Sequence, residues 1–129
     1  MKDTPYAKQG LARLAAATGN SLAGLRAAWR CEAAFRQEAA LVVILLPVAV
    51  LLPVSMPERL LLIASLFVVL IVELLNSAVE AAIDRISLDR HELSARAKDI
   101  GSAAVMLSLL LAAVIWGAIV LPLLLSWRV

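Results

Sequence analysis

Residues 60–86 read LLLIASLFVVLIVELLNSAVEAAIDRI, an apolar stretch that acquires regularly spaced polar residues toward its end. Its first thirteen residues are uncharged. A helix needs about 20 residues to cross a bilayer, so the stretch reaches that length only by carrying Glu73 into the membrane. Helical spacing continues to the end of the stretch. We therefore predict a membrane-spanning helix over about 58–86 whose last turns emerge into water.

Two further apolar tracts accompany this span. They run from Ala39 to Leu52 and from Ile100 to Trp127, and the second contains no charged residue. The chain is 63% hydrophobic, with a mean hydropathy of +0.93, whereas soluble domains have roughly 45–50% apolar residues. The predicted fold class is an all-α membrane protein. We expect a single membrane domain over residues 1–129, with spans at about 33–52, 58–86 and 95–125.

The segment before the first span has an amphipathic pattern. Apolar residues recur at helical spacing from Leu11 to Trp29, and most of the basic residues lie off that face. This predicts a helix at the membrane surface over about 6–30. The sequence Thr-Gly-Asn-Ser at 18–21 is expected to divide it into two helical pieces. The reason is that its glycine can cap one helix and its asparagine or serine can begin the next.

The distribution of lysine and arginine outside the spans predicts an orientation. Counted from the apolar centres of the spans, six of these residues lie on the N-terminal side of the first, up to Arg36, and four lie between the second and third, from Arg85 to Lys98. The region around Arg59 and the C-terminal tail have one each. By the positive-inside rule the N-terminus is cytoplasmic and the C-terminus faces outward. The net charge of +2 lies at the membrane edges and gives no reason to expect nucleic acid as a partner.

Four polar residues of the second span share one helix face, which we call the polar row: Glu73, Asn76, Glu80 and Asp84. They are separated by three, four and four residues, so they lie along about 16 Å of helix rise. Intramembrane acids are rare and usually functional, because an unpaired carboxylate in hydrocarbon costs several kcal/mol. We interpret the polar row as a working site. Alternatively, Glu73 is a protonated or hydrogen-bonded packing residue, while Glu80 and Asp84 belong to a solvated face.

Further polar residues lie where the first and third spans enter the membrane: Glu32 and Glu38 at the first, and Lys98, Asp99 and Ser102 at the third. Carboxylates with a lysine suit a divalent cation and a polyphosphate, because hard oxygens hold Mg²⁺ and an ammonium balances phosphate charge. Taken singly, Glu32 and Lys98 also fit ordinary surface charges. The five glycines form neither a Walker A loop nor a glycine-rich kinase loop, so a nucleotide site must be unorthodox.

Three helices enclose polar residues poorly, because each helix has a lipid-facing side. Small residues lie near the polar row and across the start of the third span, and they allow close contact between helices. They are Ser77, Ala78, Ala81 and Ala82, and residues 101–104. We therefore expect the chain to self-associate.

With these residues in view, the chain resembles the bacterial membrane diacylglycerol kinases. Three motifs carry the resemblance, which extends from about residue 13 to 116: Trp29-Arg-Cys-Glu-Ala-Ala-Phe-Arg-Gln-Glu38, Glu73-Leu-Leu-Asn-Ser-Ala-Val-Glu80 with Asp84, and Ala97-Lys-Asp-Ile-Gly-Ser-Ala-Ala104. It implies a homotrimer of the bacterial inner membrane, with a periplasmic C-terminus and active sites shared between subunits. The implied reaction transfers the γ-phosphoryl group of MgATP to the hydroxyl of diacylglycerol and makes phosphatidic acid.

The same resemblance implies roles for individual residues. Glu73 matches the general base on the lipid hydroxyl, and Asn76 matches its fixed polar partner. The carboxylates that hold Mg²⁺ are matched by Glu32 and Glu80. Nucleotide contacts are matched by Arg13, Lys98, Asp99 and, more loosely, Asp89, Arg90 and His91. Contacts to the lipid, or support for the site, are matched by Glu38, Arg59 and Ser102. Trp116 is a further candidate for contact with the lipid, but packing is the better explanation of a tryptophan within a span.

Three other functions use an acid within the membrane. An undecaprenol kinase has the same polar row and a long isoprenoid acceptor, but the extended N-terminal helix and the 29–38 motif favour diacylglycerol. A small proton-coupled carrier is expected to have four spans and to lack the pair Lys98 and Asp99. A rotor subunit of an ATP synthase needs two spans and a glycine-rich helix. A second carboxylate at Glu80, one heptad after Glu73, fits neither transport protein.

Overall fold

The structure, a computed structural model, describes residues 9–128, and over that range it contains helices and no strand. The helices are α1 (Leu11–Cys31), α2 (Ala33–Leu51), α3 (Met56–Ile86) and α4 (Glu92–Ser126). The last three are long and apolar enough to cross a membrane. The prediction of an all-α chain with three apolar spans is confirmed.

The first helix runs without interruption, so the predicted division at 18–21 is wrong. The hydroxyl of Thr18 donates to the carbonyl oxygen of Leu14 at 2.9 Å, and that of Ser21 donates to the carbonyl oxygen of Ala17 at 2.9 Å. Each hydroxyl is therefore bonded four residues back within the same helix and does not cap a new one.

The chain changes direction at Glu32, the residue between α1 and α2, whose backbone is extended (φ −115°, ψ 107°). The Arg36 guanidinium closes this corner. Its Nη1 donates to the carbonyl oxygen of Trp29 at 2.8 Å and to that of Arg30 at 3.3 Å. These are carbonyls that the last turn of a helix leaves without helical partners. Arg36 therefore fixes the corner that carries Glu32.

The central element is α3, which packs most extensively against α4 and also against α2. A capping box starts it: the backbone N–H of Ser55 donates to Glu58 Oε2 at 2.9 Å, and that of Glu58 donates to Ser55 Oγ at 3.4 Å. The residues of α3 that are buried recur at helical spacing along one face: Leu62, Ser65, Leu66, Val69 and Glu73. The core of the chain thus ends, at the middle of α3, on an acid.

The single chain leaves much apolar surface uncovered. Among the residues of α4 only Ser108 is buried. The large apolar side chains of α1 are also exposed, and Trp29 keeps 53% of its surface exposed. Apolar patches of this extent mark surfaces that lipid or another protein covers.

Candidate active site

The polar row extends from the middle of α3 toward its C-terminal end. Glu73 is the deepest member, with 4% of its surface exposed. The Ser77 hydroxyl donates a long hydrogen bond, 3.5 Å, to Glu73 Oε1. One turn along, Asn76 Nδ2 donates to Glu80 Oε1 at 3.3 Å. Glu73 and Glu80 therefore each have a neutral hydrogen-bond donor from their own helix.

Two further acids approach the row from outside α3. These are Glu32, at the corner after α1, and Glu38 of α2. The charges of Glu32 and of Glu80 act on Glu73, and the charge of Glu73 acts on Glu38. The fold therefore brings four carboxyl groups, from three parts of the chain, into one region. Like charges at this proximity repel in a medium of low dielectric constant, so the arrangement favours binding of a cation.

A groove between α1 and α3 adjoins these acids. Its volume is about 630 Å³, and Glu32 and Ser77 lie in its wall. Small residues on both helices make up much of the remaining lining: Gly24, Ala27, Ala28, Ala78 and Ala81. Its size is that of a small-molecule site.

The C-terminal end of the polar row, at Asp84, lies beside the N-terminal turns of α4. Lys98 Nζ is 2.7 Å from Asp84 Oδ1, and both side chains are about half exposed, 42% and 48%. A cavity of about 620 Å³ opens at this end, and six of its lining residues are charged or titratable members of the loop and the flanking helices: Asp84, Asp89, Arg90, His91, Glu92 and Lys98. Most of the residues assigned to the nucleotide thus surround one cavity.

The carboxylates near Glu73 suit Mg²⁺ better than a metal ion whose ligands all come from the protein. In residues 9–128 no group of three His, Cys, Asp or Glu side chains could hold a metal ion. Mg²⁺ usually takes only one or two carboxylates and completes its shell with waters and substrate phosphates. Glu32 and Glu80, whose charges both act on Glu73, supply that number, and their carboxylate oxygens are of the kind that Mg²⁺ prefers.

Other predicted site residues lie away from the polar row or open to solvent. Arg59 Nη2 donates to the carbonyl oxygen of Leu52 at 2.9 Å, and along α3 it is about 21 Å of helix rise from Glu73. Three more are exposed in the single chain: Arg13, Asp99 and Ser102. One chain alone does not gather them into the site.

Glu38 and Trp116 line the same apolar cavity, about 220 Å³ between α2, α3 and α4. Trp116 Nε1 donates to Ser65 Oγ at 3.1 Å, and that hydroxyl donates to the carbonyl oxygen of Leu62 at 2.8 Å. The tryptophan therefore ties α4 to the buried face of α3. Neither Ser65 nor Ser77 was among the predicted site residues. The sequence did contain a signal for Ser77, because a residue four positions after Glu73 lies next to it on the same helix face.

Replacing Trp116 by phenylalanine keeps an aromatic ring in this cavity and removes the donor to Ser65. We expect the free energy of unfolding to fall by about 0.6 kcal/mol, the average for interhelical hydrogen bonds in membranes. Unfolding by sodium dodecyl sulfate in mixed micelles measures the change. Trp127→Phe, at a side chain that is 70% exposed, is the matched control. Equal shifts for the two variants would contradict this role of the hydrogen bond.

Three helices long and apolar enough to cross a membrane, one of them carrying a row of acids whose deepest member, Glu73, is buried, are the features of a polytopic membrane protein. The model of the family "Prokaryotic diacylglycerol kinase" matches residues 19–120. A diacylglycerol kinase of Pseudomonas aeruginosa is 56% identical over 122 residues, which cover 94% of this chain and 99% of the relative.

Two other relatives named diacylglycerol kinase extend the match. The one from Escherichia coli K12 is 51% identical over 107 residues, 83% of this chain and 88% of the relative. The one from Haemophilus influenzae is 46% identical over 114 residues, 88% of this chain and 97% of the relative. The chain belongs to the prokaryotic diacylglycerol kinase family, which confirms the resemblance. It is therefore an enzyme, and neither the carrier nor the rotor interpretation holds.

Proposed function

We propose that the chain transfers the γ-phosphoryl group of MgATP to the hydroxyl of sn-1,2-diacylglycerol and makes phosphatidic acid. Membership of the family and the names of the relatives support this reaction. The observation that carries it is Glu73, a carboxyl group that is 4% exposed midway along a membrane-crossing helix. A base at that depth can meet a hydroxyl that cannot leave the membrane, whereas ATP cannot enter it.

In the proposed mechanism Glu73 is the general base. One carboxylate oxygen, Oε1, accepts the long hydrogen bond from Ser77, so Oε2 is available for the proton of the lipid hydroxyl. As the proton moves, the hydroxyl oxygen attacks the γ-phosphorus, the bond from this phosphorus to the β–γ bridging oxygen breaks, and ADP leaves. Positioning and charge stabilisation contribute most of the rate in such a transfer.

Glu32 and Glu80 are the proposed holders of the metal. Glu80 lies about 10 Å of helix rise beyond Glu73 toward the end of α3, so it can meet phosphates that approach from water. When bound, Mg²⁺ supplies neutralisation of charge on the phosphate oxygens. Asn76 keeps the Glu80 carboxylate in place through the hydrogen bond from its amide nitrogen.

The nucleotide and the lipid are assigned to the two ends of the site. Phosphate contacts fall to Lys98, with Asp89, Arg90 and His91 around the same cavity. The ion pair of Lys98 with Asp84 is half exposed and opens readily, because surface pairs contribute little in water. For the lipid we assign Glu38 and Trp116, which line the apolar cavity. Arg59 supports the outer end of α3.

We further propose a homotrimer with shared sites in the bacterial inner membrane, with a cytoplasmic N-terminus and a periplasmic C-terminus. Two observations support the assembly. Arg13, Asp99 and Ser102 are exposed in the single chain and need other subunits to join a site. The uncovered apolar surface of α4 offers the contact area. The excess of Lys and Arg before α2 and after α3 supports the orientation. With that orientation, α1 lies along the cytoplasmic surface.

The reaction is tested with purified protein in lipid micelles, MgATP and two acceptors, diacylglycerol and undecaprenol, offered in parallel. We expect label from the γ-phosphoryl group to appear in phosphatidic acid. Label in undecaprenyl phosphate alone would assign the other acceptor. Labelling of neither lipid would contradict the kinase proposal.

A further inference from the structure

Gly101, in the third turn of α4, lies against the polar row. A Cβ built at Gly101 would overlap Asn76 Oδ1 and come within 3.3 Å of Asn76 Cγ. The asparagine amide therefore occupies the space that a side chain at position 101 would need. No other glycine of residues 9–128 has an atom within 4 Å of its Cβ position.

The different environments of the nitrogen and the oxygen of the Asn76 amide determine its orientation. Its nitrogen donates to Glu80 Oε1, and its oxygen is buried with no hydrogen-bond partner among residues 9–128. The opposite orientation would set the amide oxygen against the Glu80 carboxylate, and two acceptors repel. The oxygen consequently points at the backbone of α4, and a Cα–H group is a weak donor that suits such a contact between helices.

We propose that Gly101 is a positioning residue of the active site. Its missing side chain admits the Asn76 amide between α3 and α4 and thereby holds the amide donor on Glu80. The inference rests on the proposed function, because it takes Glu80 as a ligand of the metal. In this proposal the contact between α3 and α4 determines the orientation of the Glu80 carboxylate, although Glu80 itself belongs to α3.

Any side chain at position 101 forces one of two changes. Either Asn76 turns away and releases Glu80, or α4 moves away from α3 and opens the contact. Alanine is the smallest such change. The first outcome frees the Glu80 carboxylate directly, and the second removes the α4 backbone that holds the Asn76 amide toward Glu80. Residues that orient metal ligands typically affect metal affinity or activity by about 10–100-fold.

The experiment compares Gly101→Ala with Gly117→Ala in the full-length protein in lipid micelles. Gly117 lies on the same helix with nothing within 4 Å of its Cβ position, so it is the matched control. We expect Gly101→Ala to lower kcat/KM for MgATP by about 10-fold or more. Binding of Mg²⁺ in the presence of ADP, measured by titration calorimetry without turnover, should weaken in Gly101→Ala, and the Mg²⁺ concentration for half-maximal rate should rise. KM for diacylglycerol and the activity of Gly117→Ala should stay near wild type.

A second background separates positioning from a general loss of packing. Asn76→Ala removes the amide, so adding Gly101→Ala to it should cost no further activity, and it should restore folding if Gly101→Ala alone fails to fold. Equal activity of Gly101→Ala and Gly117→Ala would overturn the proposal. So would a full additional loss in the Asn76→Ala background. Because both tests use a wild-type enzyme that phosphorylates lipid, inactivity of the wild type would instead count against the proposed function.

Discussion

Replacing Glu73 by glutamine is expected to lower kcat for diacylglycerol by about 10²–10⁴-fold, the usual contribution of a general base. The variant keeps the size of the side chain, and its amide oxygen can still accept the hydrogen bond that Ser77 donates to Glu73 Oε1. What it loses is the ability to take the proton of the lipid hydroxyl. Initial rates at saturating MgATP and diacylglycerol measure the effect.

The fold should survive this change. An amide at the buried position removes the repulsion from Glu32 and Glu80, whose charges reach Glu73, so the unfolding midpoint in mixed micelles should not fall. Glu58→Gln is the matched control, because it is the same change on the same helix about 22 Å of rise away, and glutamine still closes the capping box there. An active, folded Glu73→Gln protein would remove Glu73 as the base.

The spans and the polar row could be predicted from the sequence because both depend on local features of the chain. Apolar length predicts a span, and spacings of three and four place Glu73, Asn76 and Glu80 on one face whatever the tertiary structure is. The predicted helix boundary at residues 18–21 is wrong, because α1 continues through it. Glycine and hydroxyl residues signal a helix boundary and also tolerate a helix interior, and the bonds from Thr18 and Ser21 to carbonyls four residues back decided for the interior.

Contacts between residues of different helices could not be predicted from local periodicity. Asp84 and Lys98 are 14 residues apart and meet only because the loop after α3 returns α4 alongside it. Trp116 and Ser65 are 51 residues apart. Small residues at 101–104 predicted close approach to another helix, but nothing in the pattern identified the Asn76 amide as the group that fills the space at Gly101. Such pairs depend on the rotation of α4 about its own axis, which an almost uniformly apolar helix does not encode.

Glu80→Gln is expected to lower kcat/KM for MgATP by about 100-fold or more, since charge stabilisation by a bound metal is worth several kcal/mol. Glutamine can still accept the hydrogen bond from Asn76, so the change removes charge and leaves the geometry. Steady-state rates over a range of MgATP and free Mg²⁺ measure it. Asp84→Asn provides a graded comparison: its carboxylate pairs with Lys98 at a half-exposed site, so we expect a change below about fivefold.

The dependence on Mg²⁺ distinguishes the two acids of the polar row. A weakened metal site is partly restored by a higher concentration of the ion, so excess Mg²⁺ should recover part of the activity of Glu80→Gln. It should recover none in Glu73→Gln, where the missing step is proton transfer and the metal carboxylates are intact. If both variants responded alike, the division of the row into a base and a metal ligand would fail, because that division assigns them different steps at different depths of one helix.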